Sequence, residues 1–156
     1  MSPPVHFDRR RAAAKRDARG LGVFDEGICL RLLADQPLGR LGFTASALPV
    51  IFPINFFLDD RTVYFRSEIG QKTTAADHYS VACLEVDEYN GLDHSGWSVL
   101  ATGRLSLPPP DRADAFDRLP VRPWAIIGPS RLIQMSVELI SGRFTDLGRS
   151  HARDVR

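Results

Sequence analysis

A chain of 156 residues, 44% apolar and 25% charged, is long enough for one domain with a buried core and is ordinary in composition for a globular protein. A net charge of +1 excludes a polyanion binder driven by bulk charge, and no apolar run approaches the roughly 18 residues of a membrane span. The charge is uneven: residues 1–20 carry a net +4 and the remainder −3. Cys29 and Cys83 each sit in an apolar run with no Cys-x-x-Cys or zinc spacing, which reads as small buried hydrophobes in a reducing compartment. The N-terminus has no apolar signal core, so the expectation is a cytoplasmic protein without a membrane anchor.

Residues 1–20 read as a mobile basic arm, 21–148 as the folded domain and 149–156 as a tail. The arm has few aromatics, which favours a solvated segment over a nucleic-acid contact. Phe24–Ala34 is predicted helical, with Asp25 as N-cap and Phe24, Ile28, Cys29, Leu32 and Leu33 on one apolar face. Asp35-Gln36-Pro37 ends it. Gly39–Thr44 is the first strand, with Leu41 and Phe43 on one face, and Ala45–Leu48 is a turn. Pro49–Leu58 is a strand apolar on both faces, so both faces are expected to be covered, and Pro53 belongs at an edge or bulge. Asp59-Asp60-Arg61 links it to Thr62–Arg66.

Lys72–Tyr79 is a short helix, Val81–Tyr89 a strand and Asn90–Gly96 a polar loop. Trp97–Leu107 is a long strand in which Gly103 marks a bulge or a close backbone approach. Pro108-Pro109-Pro110 stops it, Asp111–Leu119 is helical, and the stretch around Trp124 is irregular. Arg131–Ile140 is the last strand, extended by Gly142–Thr145. Six strands joined mostly by hairpin-sized links favour a closed antiparallel barrel.

The most informative stretch is Tyr64–Thr74, Tyr-Phe-Arg-Ser-Glu-Ile-Gly-Gln-Lys-Thr-Thr. A strand ends, Gly70 turns the chain in a conformation closed to other residues, and a helix opens with unpaired N–H groups. Arg66, Ser67, Lys72, Thr73 and Thr74 bring two cations and three hydroxyls together, as a cradle for a phosphate monoester requires. It is neither a P-loop nor a dinucleotide fingerprint. A solvated turn with ordinary surface charges is the competing reading.

The ordered set of Gly-Arg-Leu-Gly-Phe, Pro-x-x-x-Pro-x-Asn, Tyr-Phe-Arg-Ser with Gly-x-Lys, Val-Ala-Cys-Leu-Glu-Val-Asp, Gly-Trp-Ser-Val and a terminal Ser-Gly-Arg resembles the pyridoxamine 5′-phosphate oxidase-like family, in its nitroimidazole-reductase-like branch. The resemblance implies a six-stranded antiparallel split β-barrel, mainly β with flanking helices. It also implies a homodimer with FMN at the subunit interface, with the deazaflavin F420 as the alternative and haem in a few relatives. Carried over, Phe65, Arg66, Ser67, Lys72 and Thr73 match the phosphate-gripping segment. Pro53, Ile54 and Asn55 match the strand along the flavin ring, and Trp97 and Ser98 match a segment reaching it from the partner chain. Each has a structural alternative: Pro53 protecting an edge, Asn55 capping a strand, Trp97 as packing, Ser98 on backbone, and Arg66 paired with Glu68.

The implied function is an FMN-dependent oxidoreductase of an unidentified small molecule, with a non-catalytic flavin or haem protein as the alternative, and no catalytic side chain is named. Several nitroimidazole-reductase-like relatives carry His where Arg66 stands. True pyridoxamine phosphate oxidases end in an Arg, a spacer and a His, whereas here His151 precedes Arg153. Pyridoxal phosphate synthesis is therefore not implied. His78 and His94 read as solvated before they read as haem ligands.

Overall fold

The computed structural model describes residues 15–92, 94–116 and 128–145. The first fourteen residues of the expected arm, Asp93, the end of the third helix at Leu119, Trp124, and the tail with His151 and Arg153 lie outside the described residues.

The chain folds into β1 (Lys15–Arg16), β2 (Gly22–Val23), α1 (Glu26–Asp35), β3 (Leu38–Ala45), β4 (Leu48–Asn55), β5 (Phe57–Asp59), β6 (Thr62–Glu68), α2 (Gln71–Asp77), β7 (Val81–Asn90), β8 (Ser95–Ser106), α3 (Pro110–Phe116) and β9 (Ser130–Thr145). All pairings are antiparallel. β9 is the hub, because β8 runs along one edge while β6 and β2 share the other. The ladder therefore reads β5-β6-β9-β8-β7-β3-β4. Its two end strands, β4 and β5, are consecutive in the chain and separated only by Phe56. The sheet must curl to join them, and no β4–β6 ladder seals the seam. This is the mainly β, antiparallel split barrel that the sequence implied.

The differences from expectation are local. Pro49–Leu58 is broken at Phe56, whose buried ring (7% exposed) turns into the core. Residues 15–16, in the expected arm, pair with residues 22–23, which in turn pair with the end of β9. α1 begins where Asp25 caps it: its Oδ1 accepts from the Ile28 N–H at 2.8 Å. Gly103 satisfies both halves of its reading. The β8–β9 register shifts between Thr102 and Gly103, and an added Cβ would stand 1.5 Å from the Ser136 carbonyl oxygen.

One core fills the barrel, built on Leu33, Leu41, Val63, Phe65, Leu84, Val99, Leu105, Ile133 and Met135. α1 closes one side. Phe24 stacks on Phe144 with centroids 4.9 Å apart, and burial pushes the Cys29 thiol up to about 11. α2 lies against β6, β8 and β9. The outer face of β4, expected to be covered, is left open within one chain among the described residues. Ile51, at its middle, is 70% exposed. On that outer face Ile51, Gly42, Cys83 and Thr102 form one register row across four strands, and Pro53, Arg40, Glu85 and Leu100 form the next.

Candidate functional site

The open seam of the barrel holds a groove of about 210 Å³ between the end of β4, Phe52–Asn55, and the exit of β6, Arg66–Lys72. Two segments with ten residues of sequence between them thus face each other, because β4 and β6 are the strands left without a mutual ladder. Ile54 is buried (3% exposed) and anchors β4, which leaves Pro53 exposed at the sheet edge where its missing N–H costs no ladder bond.

Lys72 is the cation whose setting is most specific. Its ammonium lies 4.2 Å over the Phe52 ring centroid. Burial lowers its pKa below the ordinary 10.5, against the opposing pull of Glu68. A half-desolvated ammonium on an aromatic face is poorly hydrated, so an arriving anion displaces little water from it. Arg66 lines the same groove, half-buried. Ser67 is buried and donates its hydroxyl to the Glu68 carbonyl at 3.0 Å. Glu68 accepts from the Gly128 N–H at 3.2 Å.

Other sequence-matched positions fall elsewhere. The Thr73 hydroxyl is turned inward, accepting from the Gly70 N–H and donating to the Gly70 carbonyl, both at 2.8 Å. The Phe65 ring is wholly buried in the core and outside the groove lining. Gly70 adopts φ 163°, extended backbone open to any residue, and an added Cβ would meet nothing within 4 Å. The expected glycine-only turn is therefore corrected: Gly70 leaves open space at the rim of the groove and no left-handed conformation demands it.

Trp97 and Ser98 line a different groove, of about 250 Å³, shared with Glu85, Asp87, Glu88 and Arg143. Trp97 is 6% exposed and donates its indole N–H to Glu88 at 3.1 Å, so most of the ring is spent on packing within its own chain. Ser98 is exposed on the outer face, opposite Asp87 and Arg143. Arg143 holds the Asp17 carboxyl below its usual range by a side-chain hydrogen bond of 2.9 Å. The two grooves border one face: Pro53 of the first and Glu85 of the second are two strand spacings apart, about 10 Å, with Arg40 between them.

Sequence reading missed Phe52 as the seat of Lys72, and Glu68 and Gln71 as groove residues. Nothing in a twenty-residue separation signals the first, although a charged residue and an amide flanking Gly70 were visible. His78 is exposed at the C-terminal cap of α2, and His94 in the β7–β8 turn hydrogen-bonds the Tyr89 hydroxyl at 2.8 Å. Among the described residues no three His, Cys, Asp or Glu side chains group as metal ligands, and no helix is long and apolar enough to cross a membrane.

Comparison with known proteins places this geometry in context. The sequence pattern of the family described as pyridoxamine 5′-phosphate oxidase matches residues 25–144. The uncharacterized protein Rv0080 of Mycobacterium tuberculosis is 30% identical over 138 residues, covering 85% of this chain and 90% of that one. The crystal structure of a FAD binding protein from Mycobacterium smegmatis superposes with a TM-score of 0.65 at 27% identity, over 79% of this chain and 98% of the other. A conserved protein of unknown function from Corynebacterium diphtheriae gives 0.64 at 28%, over 79% and 96%.

Proposed function

From the premise that the chain belongs to the pyridoxamine 5′-phosphate oxidase family, a family of flavin-binding split barrels, we propose that it is a flavin-dependent oxidoreductase acting on a small molecule. The observation that carries this reading is the seam groove, where the exposed edge of β4 faces Arg66 and Lys72. Two cations and the Ser67 segment fit a phosphate, and an open β-strand edge offers backbone donors and acceptors to the rim of a flat heterocycle. A bound flavin would supply hydride exchange at N5. The residues then have distinct tasks. Arg66 and Lys72 hold the phosphate, Pro53 keeps the strand edge from pairing with another strand, and Asn55 orients the ring from its end of β4.

The assembly in this proposal is a homodimer. Ile51, Val81, Leu100 and Leu139, exposed by 42–70%, lie on the outside of the barrel, three of them on the β4–β3–β7–β8 face beside both grooves. A second copy packed there would bury this apolar surface and set Trp97 and Ser98 of the partner subunit beside the first chain's cradle. FMN is the flavin the sequence implied. The Mycobacterium smegmatis relative named for FAD supports a dinucleotide flavin as the second reading. The test is the visible spectrum of the purified protein and of its extracted chromophore. Flavin maxima with FMN or FAD in the extract are the expected result. A single deazaflavin band or a Soret band would replace the reading with F420 or haem.

A further inference from the structure

A second cavity, of about 530 Å³, lies next to the cradle and shares Gly70 and Gln71 with it. Its size falls in the range of small-molecule sites. The β3–β4 hairpin forms one wall through Thr44, Ala45 and Ser46, and the exposed side of α2 forms the other through Thr74 and His78. The ridge between the two spaces is low at Gly70, where even an added Cβ would touch nothing. The two differ in chemistry. The cradle contains Arg66, Lys72 and Glu68, whereas the lining of the second cavity has hydroxyls, one amide and one imidazole, with no Lys, Arg, Asp or Glu.

On the flavin reading above, we propose that this cavity receives the nucleoside half of a dinucleotide flavin, whose diphosphate crosses the ridge at Gly70–Gln71. The charge pattern is the argument. The two cations stand where the phosphates would be, and the uncharged hydroxyl-lined space beyond them suits ribose hydroxyls and a neutral purine. A long anionic tail of the F420 kind would leave its carboxylates among groups that carry no positive charge. The distance also suits: Gly70 and His78, the two caps of α2, are eight residue rises apart, about 12 Å at 1.5 Å per rise. His78 gives the far end a flat ring on which a base can stack.

The test is titration of the full-length apoprotein with FAD and with FMN, followed by flavin fluorescence. The wild type is expected to bind FAD at least tenfold more tightly than FMN. Ala45→Trp, which drives an indole into the cavity from β3, is expected to weaken FAD at least tenfold and leave FMN within twofold. His78→Ala adds no bulk and is expected to weaken FAD about three- to tenfold, again sparing FMN. Equal wild-type affinities, or variants that shift both flavins alike or neither, would overturn the inference while leaving the flavin reading intact. A wild type that binds neither flavin would overturn both.

Discussion

The two grooves that border the outer sheet face differ in construction and carry opposite chemistry: one lies at the unpaired edge of β4, the other across the paired strands β7, β8 and β9. The seam groove offers Arg66 and a half-desolvated Lys72 against one carboxylate. The groove beside the β7–β8 hairpin gathers Glu85, Asp87 and Glu88, and its cation Arg143 is bonded to Asp17. Arg40 stands between the two, tied to Glu85 at 3.0 Å and Asp87 at 2.5 Å. The first groove attracts an anion and the second repels one. On the proposed reading a flavin phosphate sits at the seam, and the second groove's contribution would be contact through Trp97 and Ser98.

The comparison can be broken hardest at the scaffold both grooves share. Phe65→Ala removes a wholly buried ring from the core beneath the cradle and should cost about 3–5 kcal/mol in denaturant unfolding. A loss under 1 kcal/mol would mean that β6 is not held by the core. The joint change Arg66→Ala and Lys72→Ala removes two charged donors and should weaken flavin binding by roughly 3–6 kcal/mol at about 1.5–3 kcal/mol each. The same measurement on Arg143→Ala, in the other groove, should shift affinity far less. Equal losses from the two would erase the distinction between the grooves.

A subtler probe is the face between them. Ile51→Lys puts a charge at the β4 end of the exposed outer row and should convert the proposed dimer to a monomer in light scattering. Flavin affinity should fall with it, because the second groove would no longer reach the first. An unchanged mass would remove the outer face as the subunit contact.

The smallest effect concerns Lys72 without ligand. Its pKa in the fold lies below the unfolded 10.5, so the charged form is worse off folded than unfolded. This destabilisation is complete below the lowered pKa and fades as pH rises towards 10.5, since the unfolded chain binds more protons in that window. Apoprotein stability should therefore carry a slight upward component with pH there, and Lys72→Met should remove it. An identical slope in wild type and variant would mean that the ammonium is not desolvated.

Much of this was legible along the chain, because strand and helix signals are local. Asp25 as a cap, the hairpin at Asp60, and Gly103 as both a bulge and a close approach follow from what single residues can and cannot do at their own positions. Tyr64–Thr74 stood out along the chain by its cations and hydroxyls, and the structure brings its Arg66, Ser67 and Lys72 to one groove. Its detail was not legible, because the inward turn of the Thr73 hydroxyl depends on how α2 starts.

Sequence alone determined that this is an antiparallel β protein with a cationic turn after the Thr62–Glu68 strand, since alternation and turn chemistry act over a few residues. Only the tertiary structure decided that β4 and β6 would meet without a ladder. It alone set Phe52 beneath Lys72, gave Trp97 to its own core, and left a second, uncharged cavity beyond Gly70. Those outcomes depend on how a seven-strand ribbon closes on itself, and closure is a property of the whole sheet that no short window of residues contains.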